Sequence, residues 1–138
     1  MPRPPLPPAL IEFLAAPNPA VIATVRPDGT PHSVATWYLW EDGRVLVNMD
    51  ESRVRLAHLR KDPHVSLTVT GAGDEWYRHV TLAGQVTSLD PDPKLEDIDR
   101  LARHYTGAPF AHRDRGRVSA RIEVDSWHGW AGAWPWDG

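Results

Sequence analysis

The chain has 138 residues, with 15 Lys and Arg against 18 Asp and Glu, a net charge of −3, and no cysteine. That length is one domain, and the absence of thiols excludes a disulfide framework, a thiolate nucleophile and a thiolate metal site. The acidic balance argues against a general nucleic-acid binder, no apolar run approaches a membrane span, and the N-terminus has no apolar signal core, so a single cytoplasmic domain over residues 1–138 is expected.

Residues 1–8 contain five prolines and read as an extended, mobile arm. Leu10, Ile11, Phe13 and Leu14 predict a short helix from Pro8 to Ala16 with proline in its first turn. Ala20 to Arg26 is rich in β-formers, Pro27-Asp28-Gly29-Thr30 is a turn, and the chain returns as a strand from His32 to Trp40. Glu41-Asp42-Gly43 turns it back through Arg44 to Met49, completing an antiparallel meander. A short basic helix follows, then the alternating strand His64–Thr70. Trp76 to Leu89 is one long strand, with Gly84 a bulge or a point of close backbone approach. Asp92-Pro93 opens a second amphipathic helix that Gly107 ends. Pro109 to Gly116 is a charged loop, Val118 to Val124 a last strand, and Asp125 to Gly138 a tail carrying Trp127, His128, Trp130, Trp134 and Trp136. The sum is mainly β with short helices (α+β): six antiparallel strands closing into a small barrel. Seven tryptophans are many for this length and favour interfaces or ligand walls, so dimerisation is expected on composition.

The stretch Val45 to Pro63 is the most informative. Val45, Leu46 and Val47 end a buried strand, and Asp50, Glu51 and Ser52 offer N-cap chemistry. Pro63 stops the helix near Lys61. A strand running into a helix N-terminus presents unpaired N–H groups and a positive dipole end, which suits an anion such as phosphate. Arg53, Arg55, Arg60 and Lys61 add four cations. A solvated basic face explains the same charges equally well. The aromatic strand Val34–Tyr38 can face the same cleft, or Trp37 and Tyr38 can simply alternate between core and surface. Trp76 and Tyr77 cover a ring or pack the barrel end.

Other chemistries lack their motifs. The seven histidines form no HExxH and no i, i+4 helical pair, so no metal site is expected. No serine sits in a Gly-x-Ser-x-Gly elbow, and neither a P-loop nor Gly-x-Gly-x-x-Gly is present. No catalytic side chain is singled out.

Pro27-Asp28-Gly29-Thr30-Pro31, Ser33-Val-Ala-Thr36-Trp37-Tyr38, Ser52-Arg53-x-Arg55 and Leu59-Arg60-Lys61-Asp62-Pro63-x-Val65-Ser66-Leu67 resemble the pyridoxamine 5'-phosphate oxidase-like split β-barrel superfamily. Trp76-Tyr77, Gly84-Gln85-Val86, Tyr105-Thr106-Gly107 and Trp127-His128-Gly129-Trp130 extend the likeness, which is strongest to its F420-dependent (deazaflavin) oxidoreductases. The resemblance implies an FMN-binding-like six-stranded split β-barrel, a homodimer with cofactor at the interface, and hydride transfer between coenzyme F420 (an 8-hydroxy-5-deazaflavin) and an electron-poor small molecule. It places the cofactor phosphate at Ser52, Arg53 and Arg55, its acidic tail near Arg60 and Lys61, and its ring along Thr36–Trp37 and Asn48–Met49, with Trp76 as a wall. Family members often carry lysine where Arg55 stands, and arginine keeps the charge and can bind phosphate bidentately. FMN is the alternative cofactor. A carrier or sensor binding haem or another tetrapyrrole is the non-catalytic alternative.

Overall fold

The computed structural model describes residues 2–131, and among these seven strands and three helices are found. In chain order they are α1 (Pro8–Ala15), β1 (Ala20–Val25), β2 (Pro31–Thr36), β3 (Leu39–Glu41), β4 (Arg44–Asp50), α2 (Val54–Lys61), β5 (His64–Thr70), β6 (His79–Pro91), α3 (Glu96–Thr106) and β7 (Arg117–Trp130). All seven strands join one antiparallel sheet in the order β2-β1-β5-β6-β7-β4-β3.

The two edge strands, β2 and β3, are neighbours in sequence, separated only by Trp37 and Tyr38. Three Cα steps of about 3.8 Å hold those edges within roughly 11 Å of each other. The sheet must therefore curl round on itself, but no ladder closes between its edges. This corrects the expected six-stranded barrel to an open, curled, seven-stranded sheet. The expected strand His32–Trp40 is split because Tyr38 turns inward. It is fully buried, and its hydroxyl donates to the Leu14 carbonyl at 2.8 Å and the Ala16 carbonyl at 3.3 Å. Those carbonyls end α1 without an intrahelical partner, so Tyr38 fastens the helix across the gap.

Three further expectations change. The 3₁₀ turn Gly73–Glu75 precedes β6, which starts at His79 rather than Trp76. Residues Asp125 to Trp130 of the expected tail are strand, with Trp130 opposite His79 and Ser126 opposite Ala83. Trp134 and Trp136 lie outside the described residues. The proline arm is tied down, since the Trp127 amide donates to the Pro2 carbonyl at 2.9 Å and Leu6 is buried. The bulge at Gly84 is present: the β6–β7 register shifts between Ala83 and Gly84, and a Cβ there would collide with the Glu123 carbonyl oxygen.

The core fills the inside of the curl. Leu10, Phe13 and Leu14 of α1, Leu56 and Leu59 of α2, and Val45, Val47 and Met49 of β4 belong to it. Strand side chains alternate, so Leu46 and Asn48 point to the other face of β4. They are nonetheless buried, because α3 lies on that side and is held there by polar contacts from Asp92 and Asp97 to β4 and β7. No helix among the described residues is long and apolar enough to cross a membrane.

Candidate functional site

The turn from β4 into α2 is built on Asp50. Its carboxylate accepts from both the amide and the hydroxyl of Ser52, each at 2.8 Å, and these bonds, the amide's first, hold its pKa below the usual carboxylate range. This is an Asx turn. Ser52 is not the helix cap its sequence position suggests. Arg53 occupies the N-cap position, without a side-chain capping bond. The turn thus sets Arg53 and Arg55 at the start of α2, against a cavity of about 560 Å³.

Three cations face that cavity: Arg53, Arg55 and Arg117, the last from the first residue of β7. Burial, then the charges of Arg53 and Arg117, lower the pKa of Arg55. Burial likewise lowers Arg117, with Asp50 and Asp92 opposing and Arg53 reinforcing the shift. An arginine remains protonated at any working pH. Among the described residues none of the three has an ion-pair partner within 4.0 Å. Like charges gathered in a partly desolvated place repel one another, and a bound anion relieves that repulsion.

The rest of the wall is apolar and aromatic. Trp37 stacks on Tyr105 of α3 with centroids 5.4 Å apart and planes 12° from parallel. Phe110, from the loop after α3, meets Trp37 edge-on at 6.1 Å, and the Arg117 guanidinium lies 4.6 Å from the Phe110 centroid. Ile98 and Leu101 of α3 complete this side. The Tyr105 hydroxyl donates to the Asn18 carbonyl at 2.7 Å, and burial pushes its pKa up to about 12. It stays protonated and committed to that carbonyl.

Of the residues singled out in sequence, Thr36, Trp37, Asn48, Arg53 and Arg55 line the cavity. Met49 does not, because it faces the core and is fully buried. Ser52 is exposed beside the cavity, bonded to Asp50. Arg60 and Lys61 are exposed at the far end of α2, where their charges suit the negative end of the helix dipole. Trp76 is 70% exposed and outside the cavity. Sequence reasoning missed Arg117, Tyr105 and Phe110. Tyr105 carried a signal as an apolar position of an amphipathic helix, but Arg117 fell between the charged loop and the last strand and looked no different from the arginines before it.

The chain belongs to the pyridoxamine 5'-phosphate oxidase family, whose model matches residues 6–131. A solved F420 reductase is 26% identical and superposes with a TM-score of 0.77 over 84% of this chain and 93% of that one. A conserved hypothetical protein from Mycobacterium tuberculosis is 24% identical, with a TM-score of 0.71 over 99% of this chain and 91% of that chain. An FAD-binding protein from Mesorhizobium loti is 20% identical, with a TM-score of 0.64 over 88% and 92%. At those identities the last two speak for the fold alone.

Proposed function

We propose that the protein is a deazaflavin-dependent oxidoreductase that uses coenzyme F420 to reduce an electron-poor small molecule, with FMN as the alternative cofactor. The observation that carries this reading is a cavity with unneutralised arginines beside an aromatic, apolar wall. That donor set fits a cofactor with a phosphate and a flat ring. Arg53 and Arg55 would hold the phosphate, with Ser52 beside them. Each charge-assisted hydrogen bond to it is worth about 1.5–3 kcal/mol. Thr36 and Trp37 would border the ring, and Met49 could contribute only its backbone.

Coenzyme F420 is preferred over FMN on two grounds. One neighbour of 26% identity is named an F420 reductase. In addition, Arg60 and Lys61 stand roughly 10 Å along α2 from Arg53 at 1.5 Å per residue, outside the cavity, where a carboxylate-bearing tail could reach them. FMN has no such tail.

The bound cofactor supplies hydride chemistry. The protein's part is to orient the reactants and exclude water. Among the described residues no histidine lines the cavity, and the Tyr105 hydroxyl is committed, so the proton is assigned to solvent. The same facts weigh against the haem alternative, for which the cavity offers no free axial ligand of those types.

The protein is further proposed to act as a homodimer with its cofactor sites at the interface. Val21, Trp76 and Trp130 are exposed on a single chain at 44%, 70% and 51%, and Trp76 is free to reach a site on a second copy. Native mass spectrometry of the protein mixed with F420 tests both parts. Two chains carrying two F420 molecules are expected; single chains without F420 would remove the reading.

A further inference from the structure

Arg117 differs from Arg53 and Arg55 in being held by another side chain. Its Nε donates to Oδ1 of Asn48 at 2.7 Å. Asn48 is buried and uses its full hydrogen-bonding capacity at that side chain's amide end: Nδ2 donates to Asp92 Oδ2 at 3.1 Å and to Ser119 Oγ at 3.0 Å. The register explains the meeting. Asn48 is directly opposite Ser119 on β7, and Arg117 is two residues earlier on the same face. Ser119 Oγ in turn donates to Asp97 Oδ2 at 2.7 Å. Asp92 accepts from the amides of Asp97 and Ile98 at 3.3 and 3.0 Å.

The consequence is electrostatic. The group that hydrogen-bonds Arg117 is a neutral amide; the carboxylate of Asp92 stands one hydrogen bond further back, occupied with α3 and Asn48, and that of Asp97 two, through Ser119. The guanidinium is oriented by Asn48 without being neutralised by it. Its Nη groups, which make no side-chain hydrogen bond among the described residues, remain for a ligand. A carboxylate in place of Asn48 would fix the same geometry and cancel the charge.

We propose that Arg117 is a third anion-binding cation of the cavity and that Asn48 is its positioning residue, so that together they select phosphate-bearing ligands over their phosphate-free counterparts. This rests on the reading of the cavity as a flavin or deazaflavin site. Asn48 is thereby removed from the ring-contacting residues and given a different role.

The test compares Kd values for two pairs, FMN with riboflavin and F420 with 8-hydroxy-5-deazariboflavin, in the wild type, Arg117→Gln, Arg117→Lys and Asn48→Asp. The phosphate preference in at least one pair should fall roughly ten- to hundredfold in Arg117→Gln, the range of one charge-assisted hydrogen bond. Binding of the phosphate-free member should hardly change. Arg117→Lys should recover part of the preference, and Asn48→Asp should lower it although Arg117 is intact. A merely structural role would weaken both members of a pair alike. An Arg117→Gln protein that keeps the wild-type preference overturns the assignment, whether or not Asn48→Asp folds. A wild type that binds none of the four ligands overturns the cofactor reading and the assignment together.

Discussion

Asn48 and Met49 are adjacent in sequence and live in different surroundings, one in a polar network under α3, the other in the apolar core. A strand sends successive side chains to opposite faces, so a site argued from a run of neighbours takes in every second residue wrongly. Gly84 shows the same scale from the backbone side. A methyl group there would strike the Glu123 carbonyl, part of the β7 backbone, whereas at Gly116 it would strike the flexible end of the exposed Glu51 side chain. Gly84→Ala should therefore lose about 2 kcal/mol or more, and Gly116→Ala only a few tenths. Urea unfolding of the two variants reads the difference, and equal midpoints would contradict it. Gly84 was legible in sequence because an isolated glycine in a strand has few explanations. Arg117 was not, because its meaning depends on a strand register that pairs residues 69 positions apart.

At the scale of elements, α3 lends Ile98, Leu101 and Tyr105 to the cavity wall and is anchored by charge. Burial raises the Asp97 carboxyl, but hydrogen bonds from Arg100 and Ser119 and the charges of Arg100 and Arg121 outweigh it and leave its pKa below the usual carboxylate range. A carboxyl with a depressed folded pKa contributes stability that is complete above its unfolded value and is lost as pH falls through the folded one. Thermal stability should thus decline as pH drops below about 4. Asp97→Asn should cost about 1–2 kcal/mol at pH 7, discounted because its ion pairs are partly exposed, and its acid decline should be shallower. The slope should not vanish, since Asp50 and Asp99 are also depressed. Melting curves of wild type and variant that run parallel from pH 7 to pH 2.5 would refute the role given to Asp97. The helix itself was readable from its 3.6-residue periodicity, though it begins at Glu96, not beside Asp92. The carboxylate of Asp92 still reaches its first free amides. The break between β2 and β3 was not readable, because Tyr38 looks like any strand aromatic until the end of α1 is placed beside it.

For the whole molecule, the curl of the sheet does the assembling. It carries the end of β2 round to β3 and β4, sets α2 at the end of β4, and leaves α3 to roof the gap. Residues from six elements and the segments between them then surround one cavity, which is why composition and motifs pointed to the phosphate end through the compact run 52–55 and left the opposite wall unseen. The central claim is that Arg53 and Arg55 grip a cofactor phosphate there. Fluorescence titration of F420 into wild type and the Arg53→Ala, Arg55→Ala double variant, with circular dichroism to confirm the fold, tests it most directly. Two lost charge-assisted contacts of about 1.5–3 kcal/mol each should weaken binding by at least a hundredfold in a variant that remains folded, and an unchanged affinity would contradict the assignment.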